Sequence, residues 1–197
     1  MSRVETVDEA PGLAARAVRR LLIALYRYGG WTSVGTVPEP QRFVIIAVPH
    51  TSNWDFPNFL GVTHVLGLRS HFMAKASLFR WPLGRFMRQV GGVRLDRANA
   101  RDTVQQMIDE FAKRDDFVLT IAPEGTRGAV SKWRTGFYQI ALGAGVPIVC
   151  CFLDYSTRTA GLGPMIIPTG DYEADMAPVF AFYRDIKGKH PDRYNAA

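Results

Sequence analysis

Cysteine is scarce in this sequence. The 197 residues include two cysteines, and these are neighbours, Cys150 and Cys151. Both lie inside the apolar run 146–153, which is typical of a buried strand. A disulfide framework is therefore not expected, and the pair is interpreted as core thiols in a reducing compartment.

Long hydrophobic runs are also lacking. No stretch of about 18 or more apolar residues is present, so no membrane-spanning helix is predicted. The N-terminus has no signal-peptide pattern, because Asp8 and Glu9 precede Pro11 and no small-residue cleavage site follows a long apolar core. We therefore expect the chain to remain on the side of the membrane where it is made, the cytoplasm.

Lysine is rare among the cations. The 24 basic residues comprise 5 lysines and 19 arginines, and the formal net charge is +6. The planar guanidinium group matches phosphate, which favours a phosphorylated ligand, an anionic lipid surface or a nucleic acid as partner. A general bias towards arginine is an alternative explanation. No recognised nucleic-acid-binding motif accompanies the charge, so nucleic acid is not expected.

Apolar residues are plentiful, at 47% of the chain, and they alternate between strand-like and helix-like segments. This alternation predicts an α/β fold, with a mostly parallel central sheet flanked by helices. No repeat, low-complexity tract or linker divides the chain, so residues 1–197 are interpreted as one domain. The predicted strands are 42–48, 71–75, 93–95, 117–121 and 148–153, and the predicted helices are 55–66, 77–90 with a break at Pro82, 99–114, 135–142 and 171–184.

An amphipathic helix is predicted at residues 11–28. Pro11 suits the first helical turn, and Gly29 and Gly30 end the pattern. Two interpretations are open: a helix lying in a membrane interface, or an ordinary helix whose apolar stripe packs on the core. The stripe is Leu13, Val18, Leu21, Leu22, Leu25 and Tyr26, and its basic neighbours are Arg16, Arg19, Arg20 and Arg27.

The polar loop 49–54 follows the first predicted strand. It contains His50, and Asp55 opens the next predicted helix. Five residues apart, the two would not share a face of one regular helix. They can meet if His50 lies in the loop and the Asp55 carboxylate turns back, which would leave the other imidazole nitrogen free as a base.

Two further polar blocks follow strands. Residues 91–97 combine two glycines with Arg94 and Arg97, and residues 122–128 contain Glu124, Gly125, Thr126 and Arg127. Each block suits a polar or phosphorylated ligand at a strand end. A structural ion pair and a turn stabilised by Thr126 are the respective alternatives.

Together these blocks resemble the glycerolipid acyltransferase family, which includes bacterial 1-acylglycerol-3-phosphate acyltransferases. The resemblance rests on His-x4-Asp at 50–55, the Gly-to-Arg block at 92–97, Glu-Gly-Thr-Arg at 124–127 and Val-Pro-Ile-Val at 146–149, in this order, within a core at 42–153. Two positions depart from the pattern: Cys150 stands where proline usually continues the last block, and Trp54 where an aliphatic residue is common. Both affect the expected substrate more than the expected reaction.

The resemblance implies roles for these residues. His50 would act as general base and Asp55 would orient it, in the transfer of an acyl group from acyl-CoA or acyl carrier protein to a lysophospholipid hydroxyl, most often that of 1-acylglycerol-3-phosphate. The acceptor would be bound by Arg97, Glu124, Gly125, Thr126 and Arg127. No metal, no cofactor and no covalent acyl-enzyme are implied, and the expected location is the inner face of the cell membrane, as a peripheral protein.

Other functions fit parts of the sequence. A related enzyme could acylate another lipid or a glycolipid. A basic lipid-binding module without chemistry would explain the charge and the N-terminal helix, but not the polar loops at successive strand ends. A hydrolase with its own serine is disfavoured, because no Gly-x-Ser-x-Gly motif occurs and Ser52 lies only two residues from His50.

Overall fold

A seven-stranded sheet organises the chain. The computed structural model describes residues 12–81, 84–89, 91–95 and 100–194. In chain order the strands are β1 (Thr32–Val34), β2 (Arg42–Ala47), β3 (Ser70–Lys75), β4 (Gly92–Leu95), β5 (Phe117–Ile121), β6 (Ile148–Asp154) and β7 (Thr159–Ile166).

The strand order across the sheet is β1-β7-β6-β2-β5-β3-β4. All neighbouring strands are parallel except β6 and β7, which pair antiparallel. This is the mostly parallel sheet that the alternation predicts. The helices that flank it are α1 (Leu13–Tyr28), α2 (Asp55–Val65), α3 (Gly84–Gln89), α4 (Ala100–Ala112), α5 (Gly136–Ala144) and α6 (Tyr172–Tyr183).

Strand β2 lies at the centre of the sheet and is buried on both faces, as its unbroken apolar run predicts. Because side chains alternate along a strand, Val44 and Ile46 enter one core, and Phe43 and Ile45 enter the other. The first core is closed by α4, α5 and α6, whereas the second is closed by α2. The helices therefore cover both faces of the sheet.

Helix α1 packs mainly on α2, and its Tyr26 also reaches the sheet, where it contacts the cluster of Leu153 and Ala160. The contact with α2 depends on Gly61, where a Cβ atom would lie 2.3 Å from Cγ of Tyr26. Tyr26 and Ile23 are buried. Two other members of the predicted stripe, Leu21 and Leu25, are instead 59% and 48% exposed. The helix thus uses one side for packing and leaves a broad apolar face towards solvent.

Some elements differ from the sequence-based expectations. Strands β1 and β7 were not predicted: β1 has only three residues, and β7 contains Gly161, Gly163 and Pro164, which are unfavourable in most strands. In place of one interrupted helix over 77–90, the chain forms a 3-10 helix at Ala76–Phe79 and then the short α3. Trp81 does not pack in the core, since its side chain is 94% exposed. Pro82 and Asn99, the first residue of the predicted helix 99–114, lie outside the described residues.

None of the helices that the structure describes is both long enough and apolar enough to cross a membrane.

Candidate active site

The polar residues of the site follow the carboxyl ends of three adjacent strands. His50 follows β2, Glu124 follows β5, and Tyr155 follows β6. Since β5 and β6 both pair parallel with β2, their carboxyl ends meet at one edge of the sheet. In open α/β sheets this edge is where ligands bind.

The structure brings His50 and Asp55 together. Nδ1 of His50 lies 3.2 Å from Oδ2 of Asp55. His50 is in the loop and Asp55 is the first residue of α2, which is the arrangement that the five-residue spacing requires. The imidazole is 28% exposed and lines a large cleft. No residue in the described part of the chain hydrogen-bonds to Nε2, so this nitrogen is available to a substrate.

The carboxylate of Asp55 is a buried acceptor for several donors. Its Oδ2 accepts the backbone N–H groups of Thr51 and Ser52, each at 2.8 Å. Its Oδ1 accepts the hydroxyl of Tyr155 at 2.8 Å. These bonds fold the loop around the carboxylate and fix the direction from which it meets the imidazole. Asp55 is thereby pre-positioned before any substrate arrives.

Ser52 is not placed as a nucleophile. It is 7% exposed, and its hydroxyl oxygen accepts the backbone N–H of Trp54 at 3.1 Å. This bond gives Ser52 a structural role in the loop, which agrees with the absence of a serine-hydrolase motif.

Glu124 holds the same loop from the other side. Its Oε2 accepts the backbone N–H of His50 at 2.9 Å, and the residue is 4% exposed. Burial raises the pKa of Glu124 from 4.5 to about 7, although the His50 N–H bond and the charge of His50 oppose the rise. The contact with His50 gives Glu124 a loop-positioning function that sequence reasoning missed. Its expected contact with the acceptor stays a prediction.

The rest of the Glu-Gly-Thr-Arg block faces the cleft. Gly125, Thr126 and Arg127 all line it. Gly125 has a φ of +66°, and a Cβ there would lie 2.8 Å from Nε of Arg134, so glycine allows this guanidinium to approach the backbone closely. Arg134 therefore lies beside the block and also lines the cleft.

Arg97, the remaining predicted acceptor ligand, lies outside the described residues. Its role stays a prediction.

The cleft has a volume of about 1990 Å³, and its lining includes both polar and apolar side chains. This volume exceeds that of an ordinary small-molecule pocket, so it can accept a long substrate. The apolar lining comes from both faces of the sheet: Phe56, Phe59 and Phe72 lie on the face that α2 covers, Met73 and Phe152 lie on the opposite face, and Met87 belongs to α3.

The C-terminal segment supports the loop from outside. The backbone N–H of His190 donates to Oγ1 of Thr51 at 3.2 Å, and a Cβ at Gly188 would lie 2.7 Å from the same oxygen. Nζ of Lys189 lies 4.9 Å from the ring centroid of Trp54, a cation–π contact. This contact between the C-terminal segment and the His50 loop was not predicted from the sequence.

A second, basic cleft lies between α1 and the end of α2. It is lined by Arg16, Arg19, Arg20, Arg27 and His64, among other residues. None of these arginines forms an ion pair with another described residue. Burial, followed by the charges of Arg19 and Arg27, lowers the pKa of His64. The positive field of α1 is thus concentrated on one side of the helix.

Among the described residues, no group of three or more His, Cys, Asp or Glu side chains is arranged to hold a metal ion.

The fold is that of a known class of acyl-transferring enzyme. The chain is structurally similar to the 1-acyl-sn-glycerophosphate (LPA) acyltransferase PlsC from Thermotoga maritima, with a TM-score of 0.58 and 21% sequence identity, over 84% of this chain and 76% of that one. Residues 33–154 match the family model Acyltransferase. The chain therefore belongs to the acyltransferase family, as its motifs predicted. Comparison with curated protein sequences gave no significant match.

The raised pKa of Glu124 should make the folding stability of the protein depend on pH. In the folded protein the pKa of Glu124 is about 7, whereas its ordinary value, expected in the unfolded chain, is 4.5. Between these two pH values Glu124 therefore binds more protons in the folded protein than in the unfolded chain. The contribution of Glu124 therefore falls as pH rises through this window and is constant above it. As pH rises from 4.5 to 7.5, the free energy of unfolding of Glu124→Gln should therefore increase by roughly 1–3 kcal/mol relative to that of wild type.

Urea denaturation of both proteins at several pH values measures this difference. The glutamine oxygen can still accept the His50 N–H, so the fold is preserved in the comparison. Glu173→Gln, at an exposed position in the first turn of α6, is the control and should show no comparable pH-dependent gain. Parallel stability curves for wild type and Glu124→Gln would contradict the raised pKa.

Proposed function

We propose that this acyltransferase moves a fatty acyl group from a thioester to the free hydroxyl of a lysophospholipid, with 1-acylglycerol-3-phosphate as the acceptor. The observation that carries the proposal is the His50–Asp55 pair at the cleft wall, with Nδ1 of His50 directed at the carboxylate. This arrangement leaves Nε2 as a base for a bound hydroxyl.

The reaction needs no nucleophile from the protein. Nε2 of His50 removes the proton from the acceptor hydroxyl while its oxygen attacks the thioester carbonyl. The tetrahedral intermediate then collapses, the C–S bond breaks, and the imidazolium returns the proton to the leaving thiolate. Asp55 fixes the imidazole orientation and stabilises the imidazolium, as the aspartate does in a serine-protease triad. The products are an ester and a free thiol.

A phosphorylated acceptor suits the basic part of the cleft. Arg127, Arg134 and Thr126 all line the cleft. Neither arginine forms an ion pair with a residue in the described ranges, so both guanidinium groups are available to an anion. Charge-assisted bonds from arginine to phosphate are strong and directional. The similarity to an LPA acyltransferase supports the same acceptor, and Arg97 remains a further candidate ligand.

The thioester donor carries the acyl chain. The apolar wall formed by Phe56 and Phe72, whose rings pack edge-on with centroids 4.9 Å apart, provides a surface on which such a chain can be buried. Each buried CH2 group contributes about 0.8 kcal/mol, so a fatty acyl group would bind mainly through this wall. Acyl-CoA and acyl carrier protein both present the required thioester, and no other cofactor is needed for the chemistry.

Thiol release tests the reaction directly. Wild type should release thiol from acyl-CoA or acyl carrier protein only when lysophosphatidic acid is present, and His50→Ala should lose about 10³-fold or more of this rate because its base is gone. His190→Ala is the matched control. Its backbone N–H can still donate to Thr51, so it should retain activity.

Two outcomes separate the parts of the proposal. If a monoacylglycerol without phosphate is acylated as efficiently as lysophosphatidic acid, the phosphorylated acceptor is wrong and the His50 reaction stands. If His50→Ala retains wild-type turnover, the proposed catalytic residue is wrong.

The exposed apolar face of α1 supports binding to an anionic membrane. Leu21, Leu25 and Tyr28 project to solvent, and Tyr28 is 91% exposed. By helical geometry, the arginines of the basic cleft lie towards the opposite side of the same helix. Apolar insertion combined with positive charge is the pattern of an interfacial helix. We therefore place the enzyme as a peripheral protein on the cytoplasmic face of the cell membrane, where lysolipid acceptors reside.

Vesicle co-sedimentation tests this surface. The double variant Leu21→Asp/Leu25→Asp should bind vesicles containing phosphatidylglycerol about tenfold or more weakly, because two insertion sites become charged. The matched control is Met165→Asp/Ile167→Asp, which changes two residues that are 52% and 72% exposed outside α1. Equal binding by both variants would contradict a docking role for α1. Equal wild-type binding to neutral phosphatidylcholine vesicles would contradict the role of the arginines.

A further inference from the structure

One oxygen of the buried Asp55 carboxylate has a single partner. Oδ2 meets His50 and two backbone N–H groups, whereas Oδ1 accepts only the hydroxyl of Tyr155 among the described residues, at 2.8 Å. The Asp55 side chain is 6% exposed. Loss of that hydroxyl would leave a buried carboxylate oxygen without its protein donor, which is costly.

The direction of the hydroxyl proton is fixed by Asn58. Its Nδ2 donates to the Tyr155 oxygen at 3.0 Å. The phenol thus accepts from Asn58, and its own proton is directed to Asp55. Burial, and then the charge of Asp55, raise the pKa of Tyr155 well above its usual range, which keeps the hydroxyl protonated as a donor.

Tyr155 is itself held in place. It lies at the end of β6, and its backbone N–H donates to the carbonyl oxygen of Lys187 at 2.9 Å. The ring of Trp31 packs edge-on against it, with centroids 4.9 Å apart. Trp31 in turn stacks on Tyr26 of α1. A fixed ring allows the hydroxyl to limit rotation of the carboxylate.

We propose that Tyr155 is a positioning residue for acyl transfer: its hydroxyl, oriented by Asn58, holds the Asp55 carboxylate and disperses its charge away from His50. The inference rests on the proposed roles of His50 and Asp55. It adds a third member, 100 residues away in sequence, to the His-Asp pair. Tyr155 acts through Asp55 and takes no part in bond making.

Tyr155→Phe removes the hydroxyl and retains the ring that packs on Trp31. It should lower kcat about tenfold, the effect of losing one hydrogen bond to a charged group, with KM for the thioester changed less than about twofold. The charge of Asp55 would then be concentrated towards His50 and favour the imidazolium. The acid limb of the pH–rate profile should therefore move to higher pH, which a purely structural role would not cause.

Tyr172→Phe is the matched control. Tyr172 is also half-buried and packs edge-on against another ring, that of Tyr138, and its hydroxyl has no hydrogen-bond partner among the described residues. This variant should retain the wild-type kcat and pH profile. If Tyr155→Phe behaves like Tyr172→Phe in both respects, the positioning role is overturned.

A substrate-free measurement separates this inference from the proposed function. In ¹H NMR spectra, the Nδ1–H proton of His50, assigned by its loss in His50→Ala, should move downfield in Tyr155→Phe because its hydrogen bond to Asp55 strengthens. An unchanged resonance would overturn the inference even if wild type acylates lysophosphatidic acid. A downfield shift would support it even if the acceptor proves to be a different lipid.

Discussion

The buried carboxylate of Asp55 is the constraint on which the site depends. Asp55 is 5% exposed, and a carboxylate so deeply buried is tolerated only when hydrogen-bond donors surround it. Here those donors come from the loop after β2, from His50 and from Tyr155 at the end of β6. The hydrogen bonds to the carboxylate therefore close the loop after β2, fix the start of α2 and connect the ends of β2 and β6. The same bonds that lower the cost of burial also orient the imidazole.

A second buried carboxylate complements the first. Glu124 meets the backbone of His50, whereas Asp55 meets its ring. Burial raises the pKa of Glu124 to about 7, because one backbone N–H compensates only part of its desolvation. His50 is thus fixed at both its main chain and its side chain. Parallel pairing of β5 and β6 with β2 makes this possible by delivering the three loops to one edge.

The sequence predicted what depends on local pattern. The apolar runs located β2, β5 and β6, and the spacing of His50 and Asp55 was compatible with contact across a loop and a helix start. The Tyr155 contact could not be found in this way, because nothing in the local sequence links positions 55 and 155. Recognising that Tyr155 follows a strand next to β2 was the one available signal. Strand β7 was missed because its glycines and proline obscure its strand character, which depends on pairing with β6.

The most direct measurement is acceptor-dependent thiol release by Asp55→Asn, compared with wild type at equal folded concentration. Asparagine preserves the shape of the side chain but cannot stabilise an imidazolium, and it presents an amide where donors now converge. If the carboxylate organises the site, turnover should fall about 10³–10⁴-fold, the scale of the same change in a serine-protease triad. A folded Asp55→Asn protein with turnover close to wild type would contradict the account.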